Sequence, residues 1–327
     1  MCMRVQRNPV PLIARGAAAL AGVVVLAGCS AAGSPSAAPG STPDATAAVA
    51  TTGTAGDGGT TADRGDSAAE ARNADVISTL LAAAFPDPAS AEAQEAARAA
   101  VSPDAVAHGA GAAAGPDGLL AEFAAAHQRV PGAQAVVKRT AADGDLVAVH
   151  WQVASDPADE RTGEAAVDLF RLADGKVTER WSFDQAIAQG TPASGNANTM
   201  FSDLYVGAPD APRPTEQQEE ADRRLAVGAY DALFRDRDVS VLDRSFDSAY
   251  LQHNPVAPNG TAALKQLFSG GARFPAQQSV ISLADGDLVW TFSQAVDAQA
   301  GDPFLAADVF RVDDGLIREH WDVVPAR

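Results

Sequence analysis

The sequence predicts an α+β protein with two tandem cones, each a curved antiparallel sheet packed with helices, behind a signal peptide and a disordered tether. Three observations support this fold class. Helical periodicity opens each half of the chain, alternating apolar runs joined by Asp-Gly turns close each half, and the same order of elements occurs twice. The length of 327 residues also suits two domains better than one.

The N-terminus has the pattern of a signal peptide. Three arginines precede an apolar run over residues 17–27, which is too short to span a bilayer. The run ends in Leu26-Ala27-Gly28-Cys29, which resembles the lipobox of bacterial lipoproteins. This resemblance implies that residues 1–28 are removed and that Cys29 is lipidated, which would anchor the protein on the extracytoplasmic face of the cell membrane. A plain secretory signal with a chance cysteine is the alternative.

The composition of residues 29–72 predicts a disordered tether. This stretch is mostly Ala, Gly, Ser, Thr, Pro and Asp, with almost no large apolar side chain. It cannot bury enough surface to offset the entropy of ordering. A flexible chain of this length reaches on the order of 35 Å, so we expect the folded part to stand off the membrane.

Charge and cysteine content exclude several classes of function. The formal net charge of −18 repels nucleic-acid phosphates, so no nucleic-acid partner is expected. Cys2 and Cys29 are the two cysteines, and both lie outside the predicted domains. The sequence therefore predicts neither a disulfide framework nor a cysteine-based metal site.

The two halves, residues 73–201 and 217–327, share one predicted order of elements. A proline-containing linker over 202–216 separates them. Each half predicts helix, helix, strand, helix and then four strands, and Ala-Asp-Gly-Asp-Leu-Val at 142–147 and 284–289 marks a hairpin turn in each. The first helix of the second half shows a clear apolar stripe, formed by Leu225, Ala226, Ala229, Tyr230, Leu233 and Phe234.

The last hairpin of each half is the clearest repeat in the chain. Residues 306–322 and 166–182 keep Asp, Phe-Arg, Asp-Gly, Glu and Trp at the same spacing. The copies differ where His320 and Asp322 of the second half are replaced by Arg180 and Ser182 in the first. We expect the shared residues to serve the fold and the differing residues to serve function.

These motifs resemble the SnoaL-like branch of the NTF2-like superfamily. The second half shows the closer resemblance and the first half a looser one, and residues 194–201 look like the tail that follows the last strand in this branch. The second-half stretches that resemble it are Tyr250–Pro255, Gly260, Ala284–Val289, Ala307–Arg311 and Glu319–Asp322.

The resemblance implies a pocket in the cone and, for cyclases of this branch, an intramolecular aldol closure without metal or cofactor. A carboxylate on the last strand moves the proton, and the matching position is Asp322. Its partner on the preceding strand is often His, whereas Asp308 stands there, a departure from the pattern. The residues expected to line the pocket are His253, Tyr250, Asn254, Phe310 and Trp321. Strand alternation alone would place His253 on the face opposite Tyr250.

The geometry of the last hairpin depends on its turn. With a three-residue loop over 313–315, Asp308 lies opposite His320 on one face and Asp322 lies diagonal to them. A carboxylate beside an imidazole then makes a general acid or base. With a two-residue turn, Asp308 would face Trp321 instead and the pairing would fail. A plain surface ion pair, worth at most about 1 kcal/mol, is the structural alternative.

The first half is predicted to be catalytically inactive, with a packing or ligand-holding role. The same three-residue loop sets Asp168 opposite Arg180, which stays charged at any ordinary pH. Ser182 cannot replace a carboxylate base. His108 is expected to be solvated and His150 to be structural.

The sequence therefore predicts a lipid-anchored protein whose second half binds a small apolar organic molecule. Cofactor-free aldol or isomerase-type chemistry by Asp308, His320 and Asp322 is a further expectation, and no metal is expected at His253, His320 and Asp322. A purely binding module and an interaction scaffold are the alternatives. A further expectation is a contact between domains, either between the two domains of one chain or between two chains in a homodimer.

Overall fold

The computed structural model describes residues 67–109, 112–192, 194–270 and 274–326. The predicted signal peptide, Cys29 and most of the predicted tether lie outside these residues. Within them, no helix combines the length and apolar character that crossing a bilayer requires.

Each half contains the predicted order of elements, and the α+β fold class is confirmed. The first half consists of α1 Ser67–Ala84, α2 Ala91–Ala100, β1 Val101–His108, α3 Gly115–Arg129, β2 Gln134–Asp143, β3 Leu146–Ala154, β4 Glu164–Ala173 and β5 Lys176–Ala186. The second half consists of α4 Glu216–Phe234, a 3-10 helix Val239–Asp243, β6 Phe246–Gln252, α5 Thr261–Ser269, β7 Gln277–Asp285, β8 Leu288–Ala295, β9 Ala306–Asp313 and β10 Leu316–Val323.

Each half forms one five-stranded sheet. The strand orders are β1-β5-β4-β3-β2 and β6-β10-β9-β8-β7. Four strands of each sheet form an antiparallel meander, and the first strand of each half joins the edge in parallel to the last. This parallel pair places the end of β6 beside the end of β10, where the candidate site lies.

Helix α1 begins earlier than the predicted tether allows. Its first six residues, Ser67–Arg72, belong to the stretch predicted to be disordered. These residues are mainly Ala with Glu70 in the first turn, a composition that favours helix. Ile77, Leu80 and Leu81 bury the following turns, and this packing supports the whole helix.

The two sheets pack face to face around a shared apolar core. In β3 every residue is buried, because one face packs on the helices of its own half and the other on the second sheet. Residues of both sheets therefore contribute to one cluster, which includes Trp181, Phe183, Trp290, Phe292 and Trp321. Each half also has its own core between sheet and helices.

The repeated Ala-Asp-Gly-Asp turns also join the halves. The backbone N–H of Ala142 donates to Asp285 Oδ2 at 2.9 Å, and that of Ala284 donates to Asp143 Oδ2 at 3.0 Å. Each turn thus donates one hydrogen bond to the other turn and accepts the equivalent bond from it. This reciprocity is expected for two copies related by an approximate twofold axis.

The segment between the two sheets contacts both halves, and Arg139 Nη2 of the first half donates to the backbone carbonyl of Phe201 at 2.6 Å. The described residues between Ala186 and Glu216 form neither helix nor strand. Asn196 Nδ2 donates to the backbone carbonyls of Gln252 at 2.6 Å and Ala257 at 3.0 Å, and the N–H of Leu204 donates to Glu319 Oε1 at 2.7 Å. The tail predicted to belong to the first half therefore contacts the second.

The last hairpin has a two-residue turn and not the predicted three-residue loop. Asp314 and Gly315 both have left-handed backbones, with φ of 52° and 67°. A bulge between Ile317 and Glu319 then shifts the register by one residue. Asp308 consequently lies opposite Asp322, so both predicted partners, His320 and Trp321, were wrong. A two-residue turn without this bulge would place Asp308 opposite Trp321. With the bulge, Asp308, His320 and Asp322 lie on the same face of the sheet.

Candidate functional site

A small cavity of about 60 Å³ lies in the second half, between the sheet and helices α4 and α5. Aromatic and aliphatic side chains form most of its wall, among them Phe234, Phe246, Leu264, Phe268 and Phe310. Its polar side chains are Tyr230, Tyr250, Gln252, Asn254, His320 and Asp322. An apolar chamber with a few converging polar groups is the usual form of a small-molecule site.

Three buried ionisable side chains meet beside the polar end, where His320 and Asp322 line the cavity and Asp308 contacts them from the neighbouring strand. Asp308 and Asp322 are cross-strand neighbours, and His320 is diagonal to Asp308 with its Nε2 at 3.0 Å from Asp308 Oδ1. All three are at least nine-tenths buried. The structure therefore brings the predicted set together, but with Asp322, and not His320, as the direct partner of Asp308.

Burial shifts the pKa values of all three groups. It raises the pKa of Asp308 to about 8, against a smaller opposing effect of the Tyr230 hydroxyl. It also raises the pKa of Asp322 to about 6, where nearby His320 lowers it and Asp308 raises it. Burial lowers the pKa of His320 to about 4. Near neutral pH, Asp308 is therefore a neutral acid, Asp322 an anion and His320 a neutral imidazole.

Hydrogen bonds to Gln252 fix the proton positions independently. Gln252 Oε1 accepts from the backbone N–H groups of His253 and Asn254, both at 2.9 Å, so this atom is the amide oxygen. His320 Nδ1, at 3.0 Å from the same oxygen, must then donate. In a neutral ring its Nε2 is left as an acceptor, and Asp308 Oδ1 must carry the proton that joins them.

Each carboxyl group keeps one oxygen free. Asn254 Nδ2 donates to Asp322 Oδ2 at 2.6 Å and orients that carboxylate. Asp322 Oδ1 and Asp308 Oδ2 are buried and have no hydrogen-bond partner among the described residues. Since a buried polar atom without a partner is costly, these two oxygens are suited to a ligand.

Two of the predicted pocket residues lie elsewhere. Tyr250, Asn254 and Phe310 line the cavity, whereas His253 and Trp321 do not. His253 contacts Glu319 through Nε2 at 2.8 Å and stacks on Trp321 at 5.0 Å on the opposite face of the sheet. Strand alternation decides this placement, so the inward orientation predicted from the resemblance was wrong.

Sequence reasoning missed two residues of the site. Tyr230 was assigned to the apolar stripe of α4, but its ring lines the cavity. Gln252 shares the face of Tyr250, which was the available signal, and its Nε2 donates to the Tyr250 hydroxyl at 3.1 Å. A buried Gln between a Tyr and a His has no sequence motif of its own.

The same three ionisable groups could also hold a metal ion. One ligand atom each of Asp308, His320 and Asp322 lies within 4.8 Å of the others. The donation of His320 Nδ1 to Gln252 is the kind of outer contact that orients metal-bound imidazoles. A bound cation would replace the proton between Asp308 and His320, so the two states exclude each other.

The first half has a different polar set at the equivalent positions. Asp168 lies opposite Ser182, and Arg180 lies opposite Phe170, so the predicted Asp168–Arg180 pairing was wrong for the same reason, a two-residue turn followed by a bulge. Arg180 instead donates to Glu122 of α3, with Nη2 at 2.6 Å from Oε1.

For two of the three histidines of the first half, His108 and His150, the sequence made a prediction, and both lie outside this set. His108 is partly exposed and its Nε2 lies 2.9 Å from Glu179 Oε1. His150 is fully buried, with Nδ1 at 2.8 Å from Arg139 Nη1.

Comparisons with known proteins give similarities to one family model and to several solved structures. No curated protein matches the chain. IdmH from Streptomyces antibioticus, a candidate polyketide cyclase, is 23% identical, with 35% of this chain and 91% of that chain covered and a TM-score of 0.28. A candidate SnoaL-like polyketide cyclase from Jannaschia sp. CCS1 is 23% identical, with 37% and 94% covered and a TM-score of 0.29. A candidate isomerase of the SnoaL-like family from Agrobacterium tumefaciens is 19% identical, with 36% and 99% covered and a TM-score of 0.30.

The family match falls on the first half, where the sequence predicted the looser resemblance. The model of the SnoaL-like domain matches residues 82–180, which run from helix α1 into strand β5. Residues 82–180 of this chain are therefore similar to the SnoaL-like domain family.

Proposed function

We propose that the second half binds a small, mostly apolar organic molecule and transfers a proton on it without a cofactor. The observation that supports this proposal is the Asp308–Asp322 pair, in which Asp322 lines the polar end of an apolar cavity and Asp308 is its buried cross-strand neighbour. Two opposed carboxyl groups in a buried site share one proton, which yields an acid and a base at the same pH.

The chemistry that suits this pair is enolisation of a carbonyl compound. Asp322 Oδ1 takes a proton from the carbon beside the carbonyl while Asp308 gives its proton to the carbonyl oxygen, which forms an enol. The enol then either regains a proton at another carbon, an isomerisation, or attacks a second carbonyl of the same molecule, an aldol closure. His320 accepts the hydrogen bond of Asp308 beforehand and Asn254 holds Asp322.

The cavity is small for an organic substrate. About 60 Å³ accommodates roughly two water molecules, whereas ligand sites commonly exceed about 300 Å³. Substrate entry therefore requires a wall to move. Helix α5 is the candidate, because it has nine residues and no side-chain cap at its N-terminus.

The test measures proton abstraction directly. Incubation with 2-tetralone, an enolisable bicyclic ketone, in deuterated buffer should exchange its α-hydrogens, as followed by NMR. Asp322→Asn should lower the exchange rate by about 10²–10⁴-fold, the usual contribution of a general base. Asp297→Asn, an exposed carboxyl in the same half, is the matched control and should behave as wild type.

Three outcomes separate this proposal from its alternatives. A binding module would bind the ketone equally well in wild type and Asp322→Asn protein without exchanging hydrogens in either. A scaffold would not bind it. A metal mechanism would lose exchange on treatment with EDTA, whereas acid–base catalysis by Asp308 and Asp322 should be unaffected.

We further propose that Cys29 anchors the protein to the membrane, with residues 1–28 as its signal peptide. The lipobox-like sequence before Cys29 supports this. Cys29→Ala should move the protein from the membrane to the soluble fraction, and Cys2→Ala is the matched control that should stay membrane-bound. If wild type is soluble as well, residues 1–28 act as a plain secretory signal.

A further inference from the structure

The first half has, between its sheet and helix α3, a larger cavity than the candidate site of the second half. Its volume is about 330 Å³ against about 60 Å³ in the second half. A cavity of this size lies in the range of small-molecule sites and needs no wall to move. Several of the residues that line it are alanines, among them Ala121 and Ala125 on α3 and Ala166 on β4.

A buried carboxyl group lies in the wall of this cavity. Asp168 is 6% exposed, and Trp151 Nε1 donates to its Oδ2 at 2.7 Å. Burial raises the pKa of Asp168 to about 6, while Ser182, Trp151 and Arg180 oppose the rise and Glu122 adds to it. Above that pH the site holds a buried negative charge that no cation contacts directly within the described residues.

The charges around the cavity exclude an anionic ligand. Four carboxyl groups, Glu122, Glu164, Asp168 and Asp184, stand against two guanidinium groups. Arg180 is held by Glu122 through both terminal nitrogens, and Arg129 is held by Glu164 at 2.9–3.0 Å. Asp184 has only a longer contact of 3.8 Å to Arg129. Both cations are thus already neutralised, and two carboxyl groups remain.

We propose that this first-half cavity is a separate binding site for a small organic amine, whose ammonium group pairs with Asp168. The aromatic walls of Trp151 and Phe123 suit the apolar part of such a ligand. The ammonium group supplies the missing cation beside the buried carboxylate. The site differs from that of the second half in charge and in size, and it is independent of the chemistry proposed there.

The test compares three probes of similar shape: benzylamine, benzyl alcohol and benzoate. Calorimetry on the full folded chain at pH 7.5 should show benzylamine binding at least tenfold more tightly than benzyl alcohol, and no binding of benzoate. Asp168→Asn should remove the preference for the amine over the alcohol. Asp308→Asn is the matched control in the second half and should leave amine binding unchanged.

The indole of Trp151 supplies a second readout. Its N–H donates to Asp168, so its NMR resonance should titrate with that carboxyl group at about pH 6. Bound benzylamine favours the ionised form and should move the midpoint to lower pH. The indole N–H resonance that disappears in Trp151→Phe is the one that belongs to Trp151.

Cavity-filling variants locate the binding. Ala125→Leu should weaken amine binding at least tenfold. Ala121→Leu, on a more exposed face of α3, gives the same test if the first variant does not fold. Equal binding of amine and alcohol, unchanged binding in Asp168→Asn, or unchanged binding in both filled variants would overturn the proposal.

Discussion

Asp308 lies in an environment very different from water. Its carboxyl is fully buried, with a pKa raised to about 8, and the hydrogen bond to neutral His320 requires it to hold a proton. Asp322, with a pKa of about 6, ionises first. The form with Asp322 charged and Asp308 protonated, on which the proposed proton transfer depends, therefore dominates between about pH 6 and about pH 8.

This order of ionisation predicts the pH dependence of stability. A carboxyl whose pKa is raised on folding stabilises the protein fully below its unfolded pKa near 3.8, and the contribution is lost as the pH rises through about 8. Asp308→Asn should remove this loss. Between pH 5 and pH 9 the wild-type free energy of unfolding should fall by roughly 4 kcal/mol more than that of the variant, since about three pH units at about 1.4 kcal/mol each are involved.

Urea unfolding at pH 5 and pH 9 measures the difference. Asp297→Asn, an exposed carboxyl, should follow wild type at both pH values. Parallel curves for wild type and Asp308→Asn would contradict a buried, protonated Asp308. The remaining decline in Asp308→Asn is expected from Asp322 and Asp168, whose pKa values are also raised.

The last hairpin determines whether the site exists at all. Its two-residue turn fixes the start of the register and its bulge shifts it, and only the combination places Asp322 opposite Asp308. Gly315, with φ of 67°, needs a backbone that side-chain-bearing residues adopt at a cost. The turn thus contributes to function through geometry and without touching a ligand.

Gly315→Val should therefore destabilise the protein by about 1–2 kcal/mol, the cost of a left-handed backbone for a residue with Cβ. Chemical denaturation measures the change. Gly207→Val is the control, because Gly207 lacks a left-handed backbone and an added Cβ there meets only ordinary contacts. An equal loss in both variants would show that strain at Gly315 is not the cause.

At the scale of the whole molecule, the two halves share a core. Trp290 and Trp321 are fully buried between the sheets, and the guanidinium of Arg139 lies 3.7 Å from the ring centre of Trp321. Glu319 joins the same layer through His253 and the N–H of Leu204. Since neither sheet can expose this face without cost, both halves should unfold together.

Trp290→Ala should lower the free energy of unfolding by about 3–5 kcal/mol, as expected for a large buried aromatic residue. Calorimetry on wild type should show one transition whose calorimetric and van't Hoff enthalpies agree. Val206→Ala, at an exposed position, should stay within about 0.5 kcal/mol of wild type. Two resolved transitions in wild type would show that the halves unfold independently.

Much of this fold could be predicted from the order of apolar periods and Asp-Gly turns. Those signals are local, so they identified each helix and strand in both halves and the hairpin that holds His320 and Asp322. Local signals did not identify the bulge after Ile317, because no particular residue type marks an extra residue in a strand. The family resemblance misplaced His253 in the pocket, whereas strand alternation put it on the opposite face, which the second sheet covers.

The sequence by itself determined the α+β class, the repeat and the group of ionisable residues on β9 and β10, since these depend on period and spacing along the chain. Only the tertiary structure decided which carboxyls face each other, which half has the larger cavity and which histidine enters the site. Those properties depend on register and on packing between residues more than a hundred positions apart, such as Ala142 with Asp285 and Leu204 with Glu319. A one-residue shift in register changes the face that each side chain occupies. Packing between the sheets therefore decides which ionisable side chains reach the cavity.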